Sequence, residues 1–272
     1  MRWLKRIFDF YLDASVHVAL AVVGLMQVTV YFLDVEANAH LLYFVFFSTI
    51  ACYNFVKYGV EAEKYILVAN RYHKNIQFAS FIALGIAAYH AYFFSWDVWI
   101  AFAVLMGLTA LYALPVLPSA KNLRSLGGFK IFPVALVWAG TTVILPVIAV
   151  EEALSWDVWI ECTQRFVLVL ILMIPFEIRD LKYDAAALKT IPQRYGVSTT
   201  LVIGGIAALI FFLLSFLKDH LAPVEIWAKA ALFAVLCVLM LVTKKEQSTY
   251  FSSFWIEGIP ILWWGLVWYL EG

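Results

Sequence analysis

The chain has 272 residues, of which 64% are apolar and 14% charged, and its 19 basic and 19 acidic side chains cancel to a formal net charge of zero. Soluble domains run at roughly 45–50% apolar and 25% charged, so these proportions exclude an ordinary soluble domain. The 17% aromatic content excludes a disordered chain, and a neutral balance gives no argument for a nucleic-acid partner. What remains is an all-α, polytopic integral membrane protein, read as one transmembrane domain over residues 1–272.

A spanning helix needs about 20 mostly apolar residues. Nine segments qualify: Ser15–Leu33, Asn38–Val56, Asn75–Trp96, Val98–Ala120, Ile131–Val150, Val158–Phe176, Val197–Leu217, Ile226–Thr243 and Gln247–Leu270. Membrane strands are excluded, because the runs are long and continuous and lack a ten-residue alternation. Arg2, Lys5, Arg6 and Ala37-Asn38-Ala39 give the first segment a signal-peptide look. Asp9 and Asp13 interrupt that start, and the apolar stretch exceeds the roughly 7–15 residues of a signal, so it reads as a membrane helix. Glu161, Arg165, Lys229 and Glu257 fall inside the sixth, eighth and ninth segments. Lys229 is expected to reach the headgroups, and Glu257 to snorkel or to pair with Lys244 or Lys245. His17 and His90 are expected to be hydrogen-bonded packing, and Gly127-Gly128 a turn. Cys52, Cys162 and Cys237 lie far apart without zinc or disulfide spacing.

Alternation of nine spans puts 16 of the 19 basic residues on the face of the N-terminus and only Arg165, Lys218 and Lys229 on the other, with ten of the 19 acids. The positive-inside rule then makes the N-terminus cytoplasmic and the C-terminus external, in a cell inner (plasma) membrane. The hexapeptide Ser-Trp-Asp-Val-Trp-Ile occurs at Ser95–Ile100 and again at Ser155–Ile160. Each copy opens a span on the outer face, where Ser or Asp can cap the helix and Trp suits the headgroup layer.

The sharpest chemical signal lies in the loop after the sixth span, Glu177-Ile178-Arg179-Asp180-Leu181-Lys182-Tyr183-Asp184. On a continued helix Glu177, Asp180 and Asp184 fall within about 60° of one another. Like charges a turn apart are unfavourable unless something cationic binds between them. An oxygen-only set suits Mg²⁺, which bridges carboxylates to substrate phosphates. The alternative is a solvated loop neutralised by Arg179, Lys182, Lys189 and Arg194.

This stretch, followed by Lys189-Thr190-Ile191-Pro192 and Gly196, resembles the second aspartate-rich motif of the UbiA superfamily of intramembrane prenyltransferases. Tyr112-Ala113-Leu114-Pro115, with Lys121, Arg124 and Lys130 after it, resembles that family's segment and basic loop after the fourth helix. The resemblance implies nine helices bundled around a central, lipid-accessible cavity. It implies transfer of a polyprenyl group from its diphosphate to a lipophilic, often aromatic, acceptor with Mg²⁺. Asp180 and Asp184 would be the catalytic metal ligands, with Glu177 assisting. Asn54, Arg71, Lys121, Arg124, Lys130 and Lys189 would contact the substrate.

The first motif departs from the family pattern. Asn54 is in place, but Phe55, Tyr58 and Ala62 stand at the three aspartate positions, with Glu61 and Glu63 on either side of the last. A second reading therefore stands beside the first: a relative that binds a prenyl lipid or diphosphate without turnover. A transporter is disfavoured, since no 5+5-type repeat and no broken-helix pair with a midplane charged site is visible.

Overall fold

The structure is a computed structural model that describes residues 2–59, 71–115, 122–125, 127–184 and 188–271. Those residues are helical or irregular, with no strand among them. Helix α1 (Arg2–Asp13) is followed by α2 (Val16–Phe32) and α3 (Ala39–Asn54), which ends in a wide, π-type turn at Phe55–Gly59. Then come α4 (Arg71–Ala91) and α5 (Trp96–Ala113). Helix α6 runs through Ile131–Ala139, a wide turn at Gly140–Ile144, and Leu145–Ala149. Helices α7 (Trp156–Asp180), α8 (Ile191–Leu213) and α9 (Pro223–Val242) follow. Helix α10 begins with a third wide turn, Phe251–Ile256, and continues over Glu257–Glu271.

These helices are apolar on the outside as well as the inside. In α5 only Val98 and Ala113 are buried, while Trp96, Ile100, Val104 and Met106 point away from the protein. So extensive an apolar exterior needs hydrocarbon around it. Among the described residues six helices are long and apolar enough to cross a membrane: α3 with its wide turn, and α5 to α9. The bent pair α1–α2 would make seven. The expected count of nine spans is not reached among the described residues. The third and ninth segments form helices α4 and α10, but neither is among the helices long and apolar enough to cross, with Arg71, His73, Lys74 and Asn75 in α4 and Ser252, Ser253 and Glu257 in α10.

Neighbours in sequence are mostly neighbours in space. Helix α2 packs on α3 and α3 on α4; α5 to α10 pack in succession, and α10 returns against α2. The main core lies where α2, α7, α8, α9 and α10 meet, around Leu168, Ile171, Phe211, Leu236 and Trp263.

Of the charges inside the spans, Glu161, Arg165 and Lys229 form one buried network together with Lys218 and Glu225. Glu161 accepts from Arg165 at 3.1 Å and from Lys229 at 2.7 Å, while Glu225 accepts from Lys229 at 2.6 Å and Lys218 at 2.7 Å. Lys229 also donates to Gln164, whose amide reaches the Phe211 carbonyl and the Ser215 hydroxyl. Arg165 spends its remaining donors on the Leu25 carbonyl, Thr142 and Thr29. The expectation that Lys229 reaches headgroups is thus corrected: it is fully buried, and pairing inside the bundle avoids the cost of a lone charge in hydrocarbon. All three cations that broke the charge asymmetry belong to this network.

The repeated hexapeptide opens α5 and α7 at Ser95 and Ser155, but neither serine side chain caps its helix. The copies differ in what they do. Asp157 accepts the Asp219 and His220 amides, and Trp156 donates to the Leu217 carbonyl, so the second copy anchors the α8–α9 connection. His17 is packed as expected, bonded to Tyr11 and to the Phe254 carbonyl, and His90 meets His40 at 3.1 Å.

Candidate functional site

Two loops are built to meet on the face that carries the end of α7. Gly127 sits at φ +65, and a Cβ there would lie 1.6 Å from the Leu188 carbonyl oxygen. Only glycine lets the 127–130 turn press against the segment after α7. That approach brings Lys130 between two acids: its ammonium is 2.9 Å from Glu177 and 2.7 Å from Asp184. Asp180 turns aside and pairs with Arg179 at 2.8 Å. Lys189 is exposed close by, in a left-handed conformation at φ 48 that a non-glycine residue adopts only under strain. Arg124 is exposed on the short turn Leu123–Ser125.

Beneath this cluster lies a cavity of about 260 Å³. Val134, Val137, Val169, Leu172 and Met173 make its apolar wall, and Tyr53, Tyr112, Trp138 and Phe176 supply rings. Phe176 is the residue before Glu177, and Tyr112 lies within electrostatic reach of Arg124, Lys130 and Glu177. The cavity and the charged cluster are therefore two parts of one site. Trp138 donates to the Tyr53 hydroxyl at 2.7 Å across α6 and α3.

Of the carboxylates singled out by spacing, Glu177 and Asp184 do converge, but on a lysine. The cation that their clustering demands is a side chain of this protein. One oxygen of buried Glu177 has no partner. Among the described residues no group of three or more acidic, histidine or cysteine side chains could hold a metal ion. Among the described residues Glu177, Asp180 and Asp184 thus do not make a Mg²⁺ site, since Lys130 and Arg179 occupy the carboxylates.

Asn54 is used differently from the sequence expectation. It is fully buried, accepts from the Ser15 hydroxyl at 2.8 Å, and donates to the Ala14 carbonyl at 3.1 Å and the Ser80 hydroxyl at 2.9 Å. Ser15 has φ 60 at the 55° bend between α1 and α2, so Asn54 pins that bend rather than facing a ligand. Asn54→Asp is expected to lose both amide donors and bury a charge, destabilising the protein by about 3 kcal/mol. Thermal unfolding in detergent measures this, and an unchanged midpoint would show the side chain to be free. At the other first-motif positions, Phe55 is exposed and Tyr58 donates to the Asp13 carbonyl. Glu61, Ala62, Glu63 and Lys121 lie outside the described residues, as does the side chain of Arg71.

Sequence reasoning missed Tyr53, Trp138 and the true direction of Glu257. Glu257 neither snorkels nor pairs with Lys244 or Lys245; it lines the cavity. Nothing in an apolar run shows which side chains face inward.

No family model matches the sequence, and no curated protein matches it. Solved structures do. A UbiA homolog from Archaeoglobus fulgidus bound to GPP and Mg²⁺ superimposes with a TM-score of 0.62 at 11% identity, covering 96% of this chain and 98% of that one. The fold is that of the UbiA homologs. The same homolog bound to DMAPP and Mg²⁺ gives 0.61 at 11% identity over 96% and 98% of the two chains. A digeranylgeranylglyceryl phosphate synthase gives 0.58 at 12% identity over 98% and 97%. Likeness over nearly the whole of both chains makes the UbiA architecture a property of the entire bundle, not of one motif.

Proposed function

We propose that this chain is an intramembrane prenyltransferase that moves a polyprenyl group from its diphosphate to a lipophilic acceptor. Nine helices would span the membrane, with the N-terminus cytoplasmic and the C-terminus outside, in a cell inner (plasma) membrane. The observation that carries the reading is the aromatic-lined cavity directly beneath a cluster of basic and acidic side chains. An amphiphile with a long hydrocarbon tail and a multiply charged head matches that arrangement.

In this reading Arg124, Lys130 and Lys189 receive the diphosphate, with Arg71 and Lys121 as further contacts. Basic side chains neutralise phosphate directly and stabilise the charge that develops as the allylic C–O bond breaks. The faces of Tyr53, Tyr112, Trp138 and Phe176 stabilise the positive charge left on the prenyl group. Asp184 and Glu177 hold Lys130 in place, and Asp180 holds Arg179.

A second reading, binding of a prenyl diphosphate without turnover, is favoured by Phe55, Tyr58 and Ala62 at the first-motif positions. The experiment is to incubate the purified protein in nanodiscs with radiolabelled geranylgeranyl diphosphate and a membrane-lipid extract, with and without Mg²⁺. Labelled product lipid with equimolar diphosphate release is the expected result. Saturable binding with no release selects the second reading, and neither binding nor release overturns both.

A further inference from the structure

One cavity-lining residue is left unused by the chemistry above. Glu257 is the only charged side chain among the described residues that line the cavity. It follows directly on the wide turn Phe251–Ile256. Such a turn holds one residue more than a regular turn and advances everything after it by about 100° around the helix axis. The turn thereby sets which way the carboxylate points.

Neither oxygen of Glu257 has a hydrogen-bond or ion-pair partner among the described residues. Lys57 and Arg179 act on it only at longer range, and each is engaged elsewhere: Lys57 lies 3.8 Å from Asp13, and Arg179 is 2.8 Å from Asp180. Tyr53 is within electrostatic reach of Glu257, but its hydroxyl, which accepts from Trp138, makes no hydrogen bond to the carboxylate among the described residues. An unpaired carboxylate in an apolar cavity is costly, and in a membrane bundle it marks a functional position.

The charge also indicates which ligand it serves. The prenyl donor has an anionic head, which a carboxylate repels, and a hydrocarbon tail without a hydrogen-bond donor. The acceptor is the component that carries a proton to give. Resting on the prenyl-transfer reading, we propose that Glu257 recognises a hydroxyl on the acceptor, a phenol or alcohol, and takes its proton. The C1–O bond of the prenyl diphosphate breaks and its electron pair leaves with the diphosphate. The acceptor supplies the pair for the new bond, at its oxygen or at a ring carbon conjugated with it. The one proton released passes to the carboxylate.

The probe is 4-butylphenol, compared with its methyl ether 4-butylanisole, titrated onto the full chain in nanodiscs with empty nanodiscs subtracted. The wild-type protein is expected to bind the phenol about tenfold more tightly than the ether. In Glu257→Met that preference should vanish. Glu257→Gln should keep it, since an amide oxygen accepts a hydrogen bond, but lose about 100-fold in kcat for prenyl transfer with little change in acceptor KM. Equal binding of the two probes by the wild-type protein, a preference surviving in Glu257→Met, or full turnover by Glu257→Gln each overturns the proposal. The binding arm needs no turnover. A wild-type protein that prefers the phenol through Glu257 yet transfers nothing supports recognition of the hydroxyl and overturns the prenyl-transfer reading instead.

Discussion

Replacing Glu161 by alanine is expected to cost about 3–5 kcal/mol, the toll of leaving buried charges without their partner. Glu161 touches two cations directly, Arg165 at 3.1 Å and Lys229 at 2.7 Å, and lies 3.8 Å from a third, Lys218. Without it, three cations would share only Glu225, one oxygen of which is already unpartnered. The five side chains come from α7, the α8–α9 connection and α9, and Arg165 ties them to α2 and α6 through Leu25, Thr29 and Thr142. Losing one carboxylate therefore loosens the contact among five helices at once. Domains are typically stable by only 5–15 kcal/mol, so a loss of this size removes a large part of the margin. Tryptophan fluorescence during heating in detergent should show the midpoint falling by about 10 °C. A shift within about 1 °C would mean that water or lipid headgroups reach these charges and that the network is not what holds the helices in register.

That network also shows where sequence reading stops. The helices themselves are legible, because long apolar runs separated by charged loops leave few alternatives. Lys130 and the Glu177–Asp184 stretch both stand out from their surroundings in the sequence, but only the structure brings them together. What could not be read is direction. In a soluble helix the apolar stripe marks the inside, but α5 after Asp97 and α9 after Lys229 are apolar all round, and lipid and cavity ask for the same side chains. Glu257 could therefore be assigned to headgroups as easily as to a cavity; only the wide turn before it decides, and such a turn has no sequence signature. Pairing has the same limit. Glu161 and Arg165 are four residues apart and foreseeable, whereas Lys229 finds Glu161 across 68 positions through helix packing alone. The spacing of Glu177, Asp180 and Asp184 suggested a bound Mg²⁺; in the structure the amine of Lys130 lies between Glu177 and Asp184, and Asp180 pairs with Arg179. Asn54 illustrates the reverse case: its place in a familiar pattern suggested a ligand contact, and its three hydrogen bonds assign it to the bend at Ser15.

Replacing Lys130 by methionine is expected to have the largest effect on transfer. Its ammonium is held by Glu177 and Asp184 at the top of the cavity, where a prenyl diphosphate would place its head. Loss of one preorganised donor to developing charge typically lowers kcat by about 10²–10³-fold. The same substitution leaves Glu177, 4% exposed, and Asp184, 18% exposed, facing each other without a counter-charge, so the protein should also lose stability. The two effects can be separated. Adding Asp184→Asn to Lys130→Met removes one of the two abandoned charges and should recover most of the thermal stability. If Lys130 stabilises the leaving diphosphate, the double variant should remain as inactive as the single one, because no ammonium has returned. Recovery of transfer along with stability would make Lys130 a counter-ion only, and the proposed diphosphate contacts would reduce to Arg124, Lys189, Arg71 and Lys121. Lys130→Arg sharpens the same question, since it keeps the charge but replaces a compact ammonium by a planar fork that cannot sit between two carboxylates in the same way. Partial transfer in that variant, above Lys130→Met and below wild type, is the outcome expected of a group that acts on phosphate through its charge and depends on Glu177 and Asp184 for its position.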